Sequence, residues 1–165
     1  MKRTPRRSTQ ISDVPRVLCF AVIALGVACW PQATEAATPQ TPIGWAVVNA
    51  KGLESTTGGG DGKVVTARTA KELAGYASRK EPLTILVEGT LTGSGKLGIT
   101  SNKTLLGVGS SARIEKAELS MSGVSNIIIR NLTITDARDG IALRRTHHVW
   151  VDHCDLSACG DGLLD

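Results

Sequence analysis

The sequence predicts an all-β fold in which the chain winds into a solenoid, a parallel β-helix, and three observations lead to it. Short β-branched runs separated by Gly, Asn and Ser fill the chain after Pro82. Three such runs, at residues 102–108, 126–132 and 148–154, align at offsets of 24 and 22 residues. Strand-like segments that repeat every ~20 to 25 residues are typical of stacked coils. The leucine and asparagine framework of a leucine-rich repeat is absent, which leaves the parallel β-helix.

The alignment also predicts which side chains stack on one another. It brings two sets of residues into register, which are Leu105, Ile129 and Val151, followed by Val108, Leu132 and Cys154. Equivalent residues of successive coils lie one strand spacing apart, ~4.8 Å. We therefore expect ladders of like residues, with aliphatic side chains inside the coil and polar side chains at its bends.

The N-terminal part has the pattern of a secretory signal. Five basic residues precede an apolar run over residues 17–28, which is shorter than the ~20 residues that a membrane span needs. Small residues up to Ala36 suit cleavage there. We therefore predict a signal peptide over residues 1–36, a linker over 37–43, a β-helix domain over 44–165 and a secreted, extracellular protein.

The formal net charge of +4 comes mostly from this leader. After Ala36 the chain has seven Lys and seven Arg against thirteen acidic residues, which leaves the mature chain near +1. The high pI therefore does not indicate a nucleic acid as a partner. The Arg6-Arg7 pair leaves a twin-arginine signal open as an alternative route of export.

The four cysteines divide between the leader and the domain. Cys19 and Cys29 lie in the leader, where the residues up to Cys29 leave open a lipoprotein signal. Cys154 and Cys159 would reach an oxidising compartment and could pair there. Cys154 could equally be a small buried hydrophobe, because sequence spacing does not reveal whether two Cβ vectors face each other.

One short helix is predicted before the first coil. Thr69 is followed three residues later by Glu72, the pattern of a capping box, and Leu73, Tyr76 and Ala77 have helical spacing. Solenoids close their ends with such capping elements. We expect this helix to cover the open first coil.

Three aspartates give the sequence its strongest chemical signal. The Asp-Gly pairs at Asp139 and Asp161 are 22 residues apart, so the two aspartates should stack. Two carboxylates ~5 Å apart repel by roughly 3 kcal/mol at an effective dielectric of 20, and outside the cell they would attract calcium. Asp165 can share that ion only if the chain bends after Gly162, because an extended chain puts it ~13 Å from Asp161. Asp-Gly is also a turn signal that could recur once per coil, so spacing leaves both interpretations open.

The same residues resemble a known family. Residues 124–132, 139–141, 149–157 and 161–165 resemble the central block of the pectate lyase family, and the Val-Trp-Val-Asp-His motif within them is highly specific. Three earlier stretches also resemble it, at residues 44–50, 56–59 and 101–109. The resemblance covers essentially the whole chain after the leader.

This resemblance implies a right-handed parallel β-helix that cleaves de-esterified homogalacturonan (pectate) by β-elimination. It implies that calcium bridges enzyme and substrate carboxylates and that Asp139, Asp161 and Asp165 are its ligands. The family's base is an arginine in an Arg-x-Pro-x-x-Arg motif, which these 165 residues lack. We therefore predict no catalytic residue here, a solenoid incomplete at its C-terminal end, and no activity for this chain alone.

Four arginines of the repeats do not stand in that motif, and a protonated arginine is a poor base. They are Arg130, Arg138, Arg144 and Arg145. We interpret them as exterior side chains of solvated coils. Arg144 and Arg145 lie one strand from Asp139 and stay candidates for contact with a substrate carboxylate.

No histidine or tryptophan of the repeats is predicted to be catalytic. The resemblance implies that Asp152 and His153 are structural and bind neighbouring coils by hydrogen bonds. His147 and His148 are adjacent in a strand and should face opposite sides. The direction of Trp150, into the core or outward, stays open.

Two other functions fit parts of the pattern. A pectin lyase would act on methylated polymer without calcium, and the three aspartates argue against it. A non-catalytic calcium- and pectate-binding β-helix remnant would bind polygalacturonate without forming product. In each case we expect a polysaccharide partner and, for a complete domain, a monomer.

Overall fold

The computed structural model describes residues 41–165, which form a ladder of parallel strands preceded by a short 3₁₀ helix at Gly44–Val47. The predicted signal peptide, Cys19 and Cys29 lie outside the described residues and stay predictions. The strands are β1 (Lys63–Ala67), β2 (Leu83–Gly98), β3 (Lys103–Ser122), β4 (Ser125–Arg130), β5 (Thr133–Thr135), β6 (Ile141–Arg144), β7 (His147–Asp152) and β8 (Asp155–Ser157). One helix, α1 (Ala70–Ala77), lies between β1 and β2.

The strands stack coil upon coil. Every strand pair is parallel, and the main path runs β1-β2-β3-β4-β7. β3 also pairs with β5 and β6, and β5 pairs with β8. The long strands β2 and β3 each bend at two places. At these places the pairing register between them shifts, between Glu88 and Thr90 and again between Thr92 and Gly95. Each coil thus presents several faces to its neighbours, and the predicted parallel β-helix is confirmed.

The predicted register holds on one face and fails at the next corner. Leu105 pairs with Ile129, and Ile129 pairs with Val151, as predicted. The predicted alignment of Leu132 with Cys154 agrees with the pairing of Thr133 with Asp155, but that of Val108 with Leu132 is wrong. The offset between β3 and its neighbour falls from 24 residues at Leu106↔Arg130 to 20 residues at Arg113↔Thr133. The extra residues of β3 bulge outward, since residues 109–111 are exposed and Ala112 returns to the core.

The interior is an aliphatic ladder that includes the buried cation Lys103. Leu83, Lys103 and Ile127 are paired in register and fully buried. The Nζ of Lys103 donates to the carbonyl oxygens of Glu81 (2.8 Å) and Ser101 (2.9 Å). Burial lowers the pKa of Lys103, while the nearby charge of Glu81 acts in the opposite sense. Lys103 therefore belongs to the structure of the coil and not to its surface.

Polar side chains form a second ladder at a bend, as predicted. Asn102, Asn126 and His148 occupy equivalent positions and all adopt left-handed backbone conformations, with φ of 60°, 62° and 53°. The Asn126 Nδ2 donates to Asn102 Oδ1 at 2.8 Å. The left-handed turn at His148 also brings its Nδ1 to 2.8 Å from the Nδ1 of His147. The prediction that these two histidines face opposite sides is therefore wrong, because it assumed a regular strand.

The helix α1 caps the first coils as predicted. Thr69 Oγ1 accepts from the Glu72 amide (3.2 Å), and Glu72 Oε2 accepts from the Thr69 amide (3.1 Å), which completes the capping box. Leu73 and Ala77 are fully buried in the same core cluster as the first strands. No helix among residues 41–165 has the length and apolar character of a membrane span.

The two cysteines of the domain are free thiols. Cys154 and Cys159 form no disulfide in the described part of the chain. Burial raises the pKa of the Cys154 thiol, which packs against the core. Of the two interpretations left open, the structure supports the partly buried apolar side chain.

Candidate functional site

A cleft with a volume of about 400 Å³ opens on the face formed by β6 and the C-terminal parts of β2 and β3. All three predicted calcium ligands line it. Its charged lining residues are Lys96, Arg138, Asp139, Arg144, Asp161 and Asp165. The sequence period therefore brought the three predicted aspartates to one surface, together with three cations.

Residues 160–165 stack on the preceding coil and carry two of the aspartates with them. The amides of Gly160 and Asp161 donate to the carbonyl oxygens of Ala137 and Arg138. Further on, Ile141 bridges to Leu164 in parallel. The sequence offset between paired residues of these two coils thus changes from 22 to 23 at the cleft. The Asp139 Oδ1 accepts a hydrogen bond from the Gly162 amide at 2.9 Å. Asp139 and Asp161 lie on consecutive coils, with a one-residue irregularity between them.

The bend that a shared ion requires is present at Gly162. A Cβ atom added to Gly162 would lie 2.6 and 2.7 Å from the two carboxylate oxygens of Asp165. Asp165 therefore folds back over Gly162 instead of pointing along an extended strand. The absence of a side chain at position 162 makes room for that carboxylate.

Arg138 lies between the aspartates of consecutive coils. Its Nη2 donates to the Asp161 Oδ2 at 2.9 Å, and its Nε lies 4.0 Å from the Asp139 Oδ2. The hydrogen bond to Asp161, and then the charges of Asp161 and Asp139, raise the pKa of Arg138. Arg138 is an exterior side chain, as predicted, with 71% of its surface exposed, but it is bound to the carboxylates of the cleft.

The donor set fits a hard divalent cation in its chemistry. Asp139, Asp161 and Asp165 offer only carboxylate oxygens, which calcium prefers and soft transition metals do not. Within residues 41–165, no three His, Cys, Asp or Glu side chains are gathered closely enough to hold a metal ion as they stand. A shared cation would need Arg138 to release Asp161 and the carboxylates to converge. The calcium assignment of these three residues therefore stays a prediction.

Sequence reasoning missed two charged residues beside the aspartates. Lys96 and Glu118 are paired in register on neighbouring coils, and the Lys96 Nζ lies 3.3 Å from the Glu118 Oε1. The Glu118 side chain is only 2% exposed, and its Oε1 has no hydrogen-bond partner among the described residues. Strand alternation predicts that Lys96 points outward beside the inward-pointing Leu97, but it does not predict that Glu118 of the next coil is buried.

The other predicted residues lie away from the cleft or at its rim. Asp152 Oδ2 accepts from the Nε of Arg130 on the previous coil (3.0 Å) and lies 2.7 Å from the Nδ1 of His153. This network supports the prediction that Asp152 binds a neighbouring coil, whereas the contact that His153 makes here is to Asp152 of its own coil. It corrects the placement of Arg130, which is buried and not solvated. Arg144 lines the cleft, whereas Arg145 is not among its lining residues.

Trp150 points outward and is half-buried. It lines a separate groove of about 260 Å³ with Thr104 and Ile128, under the loop that contains Thr57 and Gly60. The open question about its direction is thereby answered. The groove has no acidic residue and belongs to the packing of the loop on the coil.

The chain is similar to pectate lyases over most of its length. The sequence model of the family described as pectate lyase matches residues 16–160. The pectate lyase plyB of Emericella nidulans is 39% identical over 125 residues, which cover 73% of this chain and 37% of that protein. The pectate trisaccharide-lyase of Thermotoga maritima is 32% identical over 165 residues, which cover 91% of this chain and 45% of that protein.

A solved structure gives the same result for the fold. A pectate lyase from Bacillus sp. N165, crystallised in complex with trigalacturonate, matches with a TM-score of 0.58 and 29% sequence identity. The match covers 68% of this chain and 41% of that one. The chain thus spans less than half the length of the curated relatives and of the solved structure compared with it.

Proposed function

Because the chain belongs to the pectate lyase family, we propose that it forms part of a calcium-dependent lyase that cleaves de-esterified homogalacturonan by β-elimination. The observation that carries this proposal is the common cleft lined by Asp139, Asp161 and Asp165. Three carboxylates that line one cleft carry more negative charge than the single guanidinium of Arg138 between them can balance, which favours an added cation. The trigalacturonate held by the Bacillus lyase supports an acidic galacturonan as the substrate class.

The three aspartates would hold the calcium, and each is prepared for it differently. Asp139 keeps one oxygen on the Gly162 amide, which fixes its orientation and leaves the other oxygen for the ion. Asp161 would be available to an ion once it released Arg138, and the bend at Gly162 would let Asp165 contribute its carboxylate. Bound calcium withdraws electron density from the uronate carboxylate and thereby acidifies the proton at C5.

The cations of the cleft would receive the substrate. Once displaced from Asp161, Arg138 has a free guanidinium on the cleft surface, where it can bind a uronate carboxylate. Arg144 lines the same cleft and is exposed. No water is added in an elimination, so the paired acid and base carboxylates of a glycoside hydrolase are not needed.

We infer that residues 1–165 alone bind pectate without cleaving it, because no residue among them stands in the family's Arg-x-Pro-x-x-Arg base motif. The protein would be secreted and would act outside the cell as a monomer. The alternative function is a β-helix remnant that binds calcium and pectate without catalysis. It predicts the same binding by residues 1–165 as the lyase proposal does. The lyase proposal differs from this alternative in one respect, which is that it requires a catalytic base from outside residues 1–165.

Calorimetric titration of the 165-residue chain tests the calcium assignment. We expect calcium to bind and to be required for binding of polygalacturonate, with no unsaturated product in the ultraviolet. Asp139→Asn keeps the oxygen that accepts from Gly162 but removes the charge, and should weaken calcium binding by about tenfold or more. Asp155→Asn, at an exposed position of strand β8 outside the cleft lining, is the matched control.

Two outcomes would contradict the proposal. Binding of polygalacturonate that persists in excess chelator would remove calcium from it. Equal loss of calcium binding in the Asp139 and Asp155 variants would mean that general acidity, and not this cleft, binds the ion.

A further inference from the structure

We propose that Lys96, held in place by the buried Glu118, binds a second uronate carboxylate of the same polymer and extends the site along the solenoid axis. This inference rests on the proposed function, because it takes the polymer to be a galacturonan. It adds a recognition point for de-esterified substrate on a coil that carries none of the aspartates.

The position of Lys96 in the sheet makes this contact possible. Lys96 pairs with Glu118, and on the next residues Leu119 pairs with Ile141 of the coil that carries Asp139. Lys96 thus lies two coils from Asp139, a separation of ~10 Å for a strand spacing of ~4.8 Å. Both residues line the same cleft. A polymer that runs from the aspartates across the coils toward β2 would pass Lys96.

The burial of Glu118 distinguishes Lys96 from an ordinary surface lysine. A buried carboxylate needs a cation beside it, and the Lys96 Nζ at 3.3 Å is the ion-pair partner that the structure provides. The side chain of Lys96 is nevertheless 61% exposed. Its ammonium group is therefore held beside the buried carboxylate of Glu118, while the side chain stays open to solvent. A fixed cation loses less conformational entropy on binding an anion than a freely moving one.

The ammonium group also retains hydrogen-bonding capacity. Lysine has three donors, and the geometry between Lys96 and Glu118 makes an ion pair but no hydrogen bond to Oε1. A substrate carboxylate can accept from these donors. A methyl ester offers no charge there, so Lys96 would favour de-esterified over methylated polymer.

The competing explanation is that Lys96 only neutralises Glu118. In that case its replacement would lower the stability of the fold and leave polymer binding unchanged. The two explanations differ in a measurement of affinity, and that measurement needs no catalytic turnover.

The test is binding of polygalacturonate to the 165-residue chain in saturating calcium. We expect Lys96→Gln to weaken binding by about threefold to fivefold, the range of an exposed charge pair, and Lys96→Arg to restore most of it. Lys71→Gln, which removes an exposed lysine of α1, is the matched control and should bind like the wild type. Binding of a fully methyl-esterified pectin should not respond to any of these changes.

A double variant protects the test against misfolding. Lys96→Gln alone leaves Glu118 buried and unpaired, whereas Lys96→Gln combined with Glu118→Gln removes both charges. The double variant should fold and should still bind polygalacturonate about threefold to fivefold more weakly. Wild-type affinity in this folded variant would overturn the role of Lys96 while leaving the proposed function intact. A wild-type chain that does not bind polygalacturonate in calcium would overturn the proposed function and this inference with it.

Discussion

Two ladders of polar side chains run across the coils of this protein, one at the bend with Asn102 and Asn126 and one in the cleft with Asp139 and Asp161. In the first, Asn126 Oδ1 accepts from the amides of Thr57 and Gly58, both at 2.7 Å. Its Nδ2 donates to Asn102 Oδ1 and to the Gly58 carbonyl. An amide both donates and accepts, so a ladder of amides satisfies itself.

The acidic ladder cannot do the same. Ionised carboxylates only accept, and stacked carboxylates repel. The chain offers them Arg138 and the Gly162 amide, which satisfy part of their capacity. The chemistry of the repeated residue thus separates a ladder that holds the fold together from one that can bind a ligand. The two ladders lead to three further predictions, in order of decreasing effect.

Asn126→Gly should produce the largest loss of stability. Glycine keeps the left-handed backbone of position 126 without strain, so the change removes only the side-chain hydrogen bonds. The buried amide of Gly58 and the partly buried amide of Thr57 lose their acceptor, and the free energy of unfolding should fall by about 2 to 4 kcal/mol. Chemical denaturation of the full chain measures it. The same change at the exposed Asn49 should have little effect, and a similar loss at both positions would refute a special role for the bend.

Arg138→Gln should act on the acidic ladder alone. Removing the cation that is bound to Asp161 takes away the competitor for an added ion, so calcium affinity should rise by roughly threefold. Titration calorimetry measures the change. Arg68→Gln breaks an exposed pair with Glu88 of similar geometry (2.7 Å) and should leave calcium affinity unchanged. A fall in affinity for the Arg138 variant would show that this arginine supports the ion instead of competing with it.

Lys103 should give the smallest effect, and only in alkali. Its pKa in the folded chain lies below the ordinary value of 10.5 because of burial, so the unfolded chain binds more protons between the two values. The free energy of unfolding should therefore rise with pH through that window, in the absence of other titrations. Lys103→Met removes this rise, and Lys80→Met, at an exposed position, keeps it. Denaturation curves at several alkaline pH values measure the slope, which would be equal in the two variants if Lys103 were solvated.

Patterns of residue type predicted much of this fold, and the failures have local causes. Leu105, Ile129 and Val151 aligned correctly because the aliphatic positions of a coil are fixed by the core. Val108 did not, because the length of an outward bulge is not encoded in the residues that stack on either side of it. The direction of the His148 side chain was predicted wrongly, because its left-handed backbone breaks the alternation of a regular strand.

The candidate site divides in the same way. A fixed offset was enough to bring Asp139 and Asp161 to one face, and Gly162 marked the bend that turns Asp165. Lys96 and Glu118 share no motif with them and are linked to the cleft only by strand pairing. Their ion pair depends on the burial of Glu118, and the repeat period of the sequence does not predict which side chains are buried between coils.

The near-constant offset between stacked strands also governs how the chain folds. Each coil docks on its predecessor by closing a loop of similar length, 20 to 24 residues on the faces that pair β3 with its neighbours, so each addition has a similar entropic cost. Folding can therefore spread from coil to coil. The exception is the segment tied down at the bend, where Thr57 meets Asn126 across 69 residues and Val48 meets His148 across 100. These contacts can form only after the coils that carry Asn126 and His148 have folded. The segment around Val48 and Thr57 should therefore be the last to acquire protection from hydrogen exchange.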